Sequence, residues 1–398
     1  MIADRKVQLH CGRFVHPIYR EQLHATPPGW RYAFTHPALS DDTTPTKRIV
    51  EQRLRCAGAR TRAEHLALFV LGEAGYVHRV RARAFPGASL IHACERLLRR
   101  SPLPYVVDFE HADLFVLYQR AALERPWTRL LLARALLDDR LRFLLPWSDA
   151  ARRSLLNALP AAAAARVEPK IRVVMPAIRL AAGRPRERRG DTLRALFVGT
   201  AFFEKGGVAA YRALREARRT HDVVLDVVTY APPDWDARLR DEPGITLHAP
   251  GGADLIQRLY AQADVLLFPS HMDTFGWVVM EALAHGLPVI APRHLALEET
   301  IADGVAGLLF APENMLWDLE TRCRFRHSVP IPRSYVELLS RPSDALVRRI
   351  AEQLARLAED RGLQDRLAQG AYDAVGSGHL STARRKAQLA EIYAAAAA

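Results

Sequence analysis

Lys205 stands in the stretch RALFVGTAFFEKGG, where an apolar run ends at Gly199 and the pair Gly206-Gly207 opens a helical pattern, VAAYRALREARR. A helix amino terminus offers N–H groups that have no partner inside the helix, and a nearby lysine adds a full charge, so this combination suits a phosphate. A solvated turn lysine beside glycines that merely permit the turn would leave the same letters. Further along, DVLLFPSHMDTFGWVVMEALAHGLPVIAP carries Asp273 and Glu281, with a helix expected to begin near Phe275. Their spacing is about two helical turns. One side of the segment could then turn both carboxylates toward vicinal hydroxyls, which they suit because each accepts two hydrogen bonds. The competing reading is a capped helix, with Asp273 as the cap and Glu281 on the outer face.

These residues need a framework. From Arg194 onward the apolar runs RALFVG, VVLDVVTY, ITLHAP, DVLLFPS, LPVIAP and AGLLFAP alternate with helical segments such as ADLIQRLYAQ. That rhythm predicts a parallel sheet with crossover helices. Upstream, VQLHCG, SLIHA, PYVVDFE and IRVVMP carry the same signal more weakly, so a second unit of the same kind is expected. At 398 residues the chain exceeds what one core usually supports. The expected division is 1–176 as a first Rossmann-like domain, 177–191 as an arginine-rich linker, 192–375 as a second Rossmann-like domain, and 376–398 as a last helix that packs back on the first. The fold class is α/β.

Composition removes several classes of function. Hydrophobic residues make up 49% and charged residues 25% of the chain, which is ordinary for a folded protein. Cys11, Cys56, Cys94 and Cys323 form no CxxC pair, so neither a zinc ribbon nor a disulfide framework is expected, and a reducing compartment fits best. The start, MIADRKVQLH, has no apolar core of signal-peptide length, and no long uncharged apolar stretch occurs. A cytoplasmic protein is expected, with peripheral contact at the inner membrane face as an option. A net charge of +12 would suit nucleic acid, an anionic membrane or a phosphate-bearing substrate. No stacking aromatics interleave with the basic runs, so nucleic acid is not expected.

Taken in order, strand-G-x-x-x-x-x-K-G, ADV-x-x-x-PS and D-x-F-G-x-x-x-x-E-A-x-A-x-G-x-P-V resemble the donor half of the family-four (group 1) retaining glycosyltransferases of GT-B fold. The resemblance implies two Rossmann-like domains facing a cleft. It implies that Lys205 grips the donor pyrophosphate in the loop of Gly199 and Gly206, and that Glu281 holds the ribose. Asp273 stands where the family has its first glutamate, one methylene longer. Phe275 and Gly276 would offer backbone amides to sugar or phosphate. Thr200 replaces a usual arginine beside the phosphates, with Arg293 as a candidate substitute charge. Leu295 and Ala296 replace a usual glycine pair, while Glu299, Asp303, Gly304 and Gly307 keep the rest of that motif.

The first half lacks the family's glycine-rich first loop, since LHCGRFVHP offers only Gly12. His92 and His111 both follow predicted strands. His111 is the better match to the family histidine that orients the sugar, with Glu110 as the other candidate. The implied reaction is transfer from a nucleoside-diphosphate sugar to a glycan, lipid or metabolite hydroxyl, with retention, no metal and no further cofactor. A sugar-nucleotide epimerase of the same fold is the first alternative, and a nucleic-acid-binding or modifying protein the second and weaker one. The segment Arg125–Trp147, RPWTRLLLARALLDDRLRFLLPW, reads either as a surface for anionic lipid or as a helix packed on its own sheet through Leu130, Leu131, Leu132, Leu136 and Leu137, followed by a strand.

Overall fold

A computed structural model describes residues 5–11, 15–34, 70, 74–181, 183, 190–313, 317–318, 324–325 and 333–398. Gly12, Cys56, Cys323 and part of the arginine-rich joining stretch fall outside them. The chain divides into two units, one comprising Met1–Ala177, Asp318–Val329 and Thr382–Ala398, the other Ile178–Trp317 and Pro330–Ser381.

The first unit holds a parallel sheet of order β2-β1-β3-β4-β5, built from β1 (Arg5–His10), β2 (Trp30–Ala33), β3 (Ala88–Cys94), β4 (Tyr105–Phe109) and β5 (Leu141–Pro146). Runs such as SLIHA and YVV are apolar at consecutive positions because both faces of a parallel sheet are covered. Leu90, Ile91, Tyr105, Val106 and Val107 are accordingly fully buried. Helices α1 (Pro17–His24), α2 (Pro126–Leu136), α3 (Asp149–Asn157) and α4 (Ala161–Val167) surround the sheet. Ser148 starts α3 by accepting the Ala151 N–H at 3.0 Å, a side-chain cap.

Two sequence expectations change here. IRVVMP makes a single bridge, Leu144 to Ile171. The Arg172 and Val174 amides reach the Leu144 and Pro146 carbonyls at 2.9 and 3.0 Å, but Pro146 has no N–H to return, so the ladder stops. In α2, Leu132 and Leu136 are buried as expected, whereas Trp127, Leu130 and Leu131 are 54%, 61% and 49% exposed.

The second unit is a six-stranded parallel sheet of order β8-β7-β6-β9-β10-β11, from β6 (Leu193–Ala201), β7 (Val223–Tyr230), β8 (Ile245–His248), β9 (Val265–Leu267), β10 (Val289–Pro292) and β11 (Gly307–Phe310). Its helices include α5 (Gly207–Ala217), α6 (Pro233–Asp241), α7 (Ala253–Gln262), α8 (Trp277–Ala284), α9 (Leu297–Thr300), α10 (Arg333–Leu339), α11 (Asp344–Glu359) and α12 (Arg361–Gly376). The strand order reverses between β6 and β9, and ligands of such sheets bind outside the strand carboxyl ends at that switch point.

The last helix, α13 (Thr382–Ala397), is part of the first unit. Leu389, Ile392, Tyr393 and Ala396 pack with Val7, Leu90, Val106 and Leu145 in one cluster. Arg385, 2% exposed, donates to the Val174 and Met175 carbonyls and to Gln22 Oε1, and lies 3.8 Å from Asp108 Oδ2.

Candidate active site

The loop after β6 is shaped by three glycines. A Cβ on Gly199 would stand 2.7 Å from Lys205 Cβ, so this glycine lets the lysine stem cross the strand end. Gly206 has φ +77 and passes so close to the Pro269 carbonyl that a Cβ would lie 2.0 Å from its oxygen. No other residue satisfies both conditions. Gly207 leaves room for the Phe202 ring at the start of α5.

Held this way, Lys205 Nζ donates to Asp273 Oδ2 at 2.5 Å and to the Met272 carbonyl at 3.0 Å. The lysine side chain is 25% and the aspartate side chain 15% exposed, so both remain open to a ligand. The structure thus joins two of the sequence candidates directly. Asp273 lies in the loop before α8 rather than on it, because that helix begins only at Trp277. The spacing to Glu281 is therefore not a helical spacing. Gly276, φ +81, begins α8 without a side-chain cap, and Phe275 is buried beside it.

Glu281 projects from α8 into a pair of donors. The Tyr260 hydroxyl donates to Oε2 at 3.0 Å and the Trp277 indole to Oε1 at 3.1 Å. Burial pushes its carboxyl up to about 7, against the lowering effect of those two hydrogen bonds. Two donors hold the side chain in one orientation while leaving lone pairs for hydroxyls.

Sequence reasoning passed over two histidines. His294 Nε2 lies 3.0 Å from the Ser270 carbonyl oxygen, and burial lowers its pKa, with Asp273 and Lys205 both near enough to act on it. Burial, followed by the charge of His294, lowers His271 to about 4. Both line a recess with Ser270, Pro292, Phe310 and Glu313. Their only sequence signal is position, in the loops that follow β9 and β10. Arg293 is paired with Asp303, and Thr200 is exposed. Leu295, where the resemblance implies a glycine, has a left-handed backbone, at φ +48.

In the first unit His111 follows β4 and caps the short turn Ala112–Val116. Its Nδ1 bonds Asp113 Oδ1, and Arg120 Nε bonds Asp113 Oδ2. Burial raises the Asp113 carboxyl, but the charges of His111 and Arg120 outweigh it and leave the group lowered. Glu110 accepts from the Tyr118 hydroxyl at 3.1 Å. Leu117 and Tyr118 both have positive φ, a strained pair that clusters at functional sites. His92 is instead a core residue, fully buried, with Nδ1 2.6 Å from the Tyr393 hydroxyl and Nε2 3.4 Å from Asp108. Among the described residues, no group of three or more His, Cys, Asp or Glu is arranged to hold a metal ion.

Comparison with known proteins agrees with this architecture. Residues 192–322 match the family Glycosyl transferases group 1. D-inositol 3-phosphate glycosyltransferase of Mycolicibacterium smegmatis is 40% identical over 83 residues, covering 20% of this chain and 19% of the relative. The protein of the same name from Acidothermus cellulolyticus is 32% identical over 168 residues, covering 35% and 37%. The matches thus span well under half the length of these relatives. Sucrose-phosphate synthase from Thermosynechococcus elongatus aligns over 98% of both chains with a TM-score of 0.59 at 15% identity. WaaG, a glycosyltransferase involved in lipopolysaccharide biosynthesis, aligns over 97% of this chain and 99% of its own with a TM-score of 0.55 at 16% identity. Anabaena HepE in complex with UDP-glucose aligns over 98% and 99% with a TM-score of 0.56 at 15% identity. The fold is GT-B, and residues 192–322, within the second unit, are similar to the group 1 glycosyltransferases.

Proposed function

We propose that this protein transfers a sugar from a nucleoside-diphosphate sugar to a hydroxyl acceptor with retention at the anomeric carbon. The observation that carries the reading is the meeting of Lys205 and Asp273 at the carboxyl edge of the second sheet, beside the entrance of α5. The family match and a same-fold neighbour that holds UDP-glucose support a sugar-nucleotide donor. In this reading Lys205 leaves Asp273 for the donor diphosphate and stabilises the charge that grows as the diphosphate departs. Glu281 accepts from the ribose hydroxyls, and Asp273, released, accepts from the sugar. Phe275 and Gly276 contribute backbone N–H groups at the start of α8. His111, held by Asp113, is the first unit's own candidate for contact with a sugar.

The bond from the anomeric carbon to the diphosphate oxygen breaks, and the bond to the acceptor oxygen forms on the same face. The acceptor's proton passes to the leaving phosphate, and neither metal nor further cofactor takes part. The acceptor is a glycan, lipid or metabolite hydroxyl. The exposed Trp127, Leu130 and Leu131 favour peripheral contact with a lipid surface as an added property. Thermal melting with UDP-, GDP- and ADP-sugars tests the donor assignment, since a ligand of the native state raises its stability. A shift with one donor and a product of unchanged anomeric configuration are expected. Release of a free epimerised sugar nucleotide would instead identify an epimerase.

A further inference from the structure

Cys11 and Cys94 are 83 positions apart in sequence, yet their sulfurs are 3.1 Å apart. β1 and β3 are parallel neighbours whose register pairs Leu9 with His92 and His10 with Ala93. The next residues outward on each strand are Cys11 and Cys94, so the two thiols face each other across the carboxyl ends of adjacent strands. Neighbouring strands lie about 4.8 Å apart, within the Cα separation of about 4.4–6.8 Å that a disulfide spans. Closing the bond therefore asks for side-chain rotation rather than backbone movement. Cys11 is partly exposed and within reach of a small oxidant, whereas Cys94 is 2% exposed.

We propose that Cys11 and Cys94 form a reversible disulfide clasp between β1 and β3, with a small-molecule disulfide such as oxidised glutathione as the oxidant. Cys11 sulfur bonds to one glutathione sulfur, and the glutathione S–S bond breaks to release one glutathione thiol. Cys94 sulfur then bonds to Cys11 sulfur and displaces the second glutathione thiol. The protein loses two hydrogens and the oxidant gains them. The order follows from access, and it agrees with the state of Cys94, whose thiol is pushed up by burial and further by Cys11, Asp108 and Glu95. The backbone is already fixed just beyond the clasp, since Glu95 has φ +57 and its N–H donates to Asp108 Oδ1 at 3.3 Å. An oxidised clasp pins the edge at which a parallel sheet presents ligands. Neither thiol takes part in the sugar transfer proposed above, so this inference stands or falls separately.

The test is oxidation of the folded protein by oxidised glutathione, followed by acid quench, alkylation and tryptic mass spectrometry. A linked pair of VQLHCGR and AFPGASLIHACER, two hydrogens lighter than its separate parts and split by dithiothreitol, is expected. Cys11→Ser should abolish it, and Cys94→Ala should trap Cys11 as the glutathione adduct. Oxidised wild type should melt at a higher temperature than the reduced form, with no such difference in Cys11→Ser. A stable glutathione adduct on Cys11 of wild type with Cys94 still reduced, or resistance of both thiols to oxidation, overturns the proposal. Should Cys94→Ala fail to fold, Cys11→Ser alone carries the comparison.

Discussion

Lys205 Nζ donates to Asp273 Oδ2 across 2.5 Å, although 68 positions separate the two residues in sequence. Neither side chain is fully enclosed, so the pair contributes only about 0–1 kcal/mol to stability. That weakness suits a lysine that exchanges a carboxylate for an arriving phosphate. Lys205→Ala is therefore expected to melt within a few degrees of wild type while transfer falls by about tenfold or more. Asp273→Asn should retain nucleotide binding and lose transfer. Full activity of Lys205→Ala in a donor-consumption assay would remove the lysine from the reaction.

Glu281 gives the site a pH dependence whose sign is fixed by burial. Its folded carboxyl is pushed up to about 7, against about 4.3 in an unfolded chain. The stability from its bound proton is fully present below about pH 4.3 and is lost as pH rises through about 7, a change on the order of 3–4 kcal/mol. Ribose recognition runs the other way, because the ionised carboxylate is the better acceptor. Calorimetric titration with free nucleotide between pH 5.5 and 8 should show affinity rising with pH, and Glu281→Gln should weaken binding and flatten the profile. A wild-type profile that is already flat would detach Glu281 from the nucleotide.

The second sheet was legible because every one of its strands is an apolar run bounded by a turn, and because Gly199, Lys205 and Gly206 fall where a strand hands over to a helix. What the sequence could not reveal were relations made by the fold. The ion pair of Lys205 with Asp273, the Tyr260 hydroxyl turned on Glu281, and the meeting of Cys11 with Cys94 each join residues from separate segments of the chain. IRVVMP has strand composition, but the missing N–H of Pro146, on its neighbour, limits it to a single bridge. Leu130 and Leu131 have core chemistry, yet α2 turns Thr128, Leu132, Ala133 and Leu136 inward instead. Composition does not state which face of a helix is covered.

Arg385 offers a test of how α13 is held. Its guanidinium is buried with donors on Gln22, Val174 and Met175, close to the buried Asp108. Asp108 also accepts from the Tyr19 hydroxyl at 2.7 Å and from the Trp147 indole at 3.2 Å. Removing the cation leaves a buried carboxylate and two carbonyls short of partners, at a cost of about 3–5 kcal/mol. Arg385→Ala should lower the denaturant midpoint of the first unit markedly, whereas Arg384→Ala should change it little. Equal midpoints for the two variants would show that apolar packing by Leu389 and Tyr393 is sufficient to hold the helix.

The exposed face of α2 carries Trp127, Leu130 and Leu131 at helical spacing, with Arg134 one turn further on and Arg125 stacked 5.7 Å from the Trp127 ring centroid. Apolar side chains at this spacing enter the boundary between headgroups and acyl chains, and each nearby arginine adds about 1 kcal/mol at an anionic surface. No helix among the described residues is long and apolar enough to cross a membrane, so the contact would be peripheral. Cosedimentation should show binding to vesicles containing phosphatidylserine that weakens with salt, and little binding to neutral vesicles. Replacing Leu130 and Leu131 by serine should abolish it with only a modest fall in melting temperature, since these side chains are about half exposed. Arg134→Gln should weaken it by a smaller factor. Wild-type protein that stays in the supernatant at low salt would leave α2 as a helix that exposes its apolar face for some other reason, and the acceptor would then be sought among soluble hydroxyl compounds.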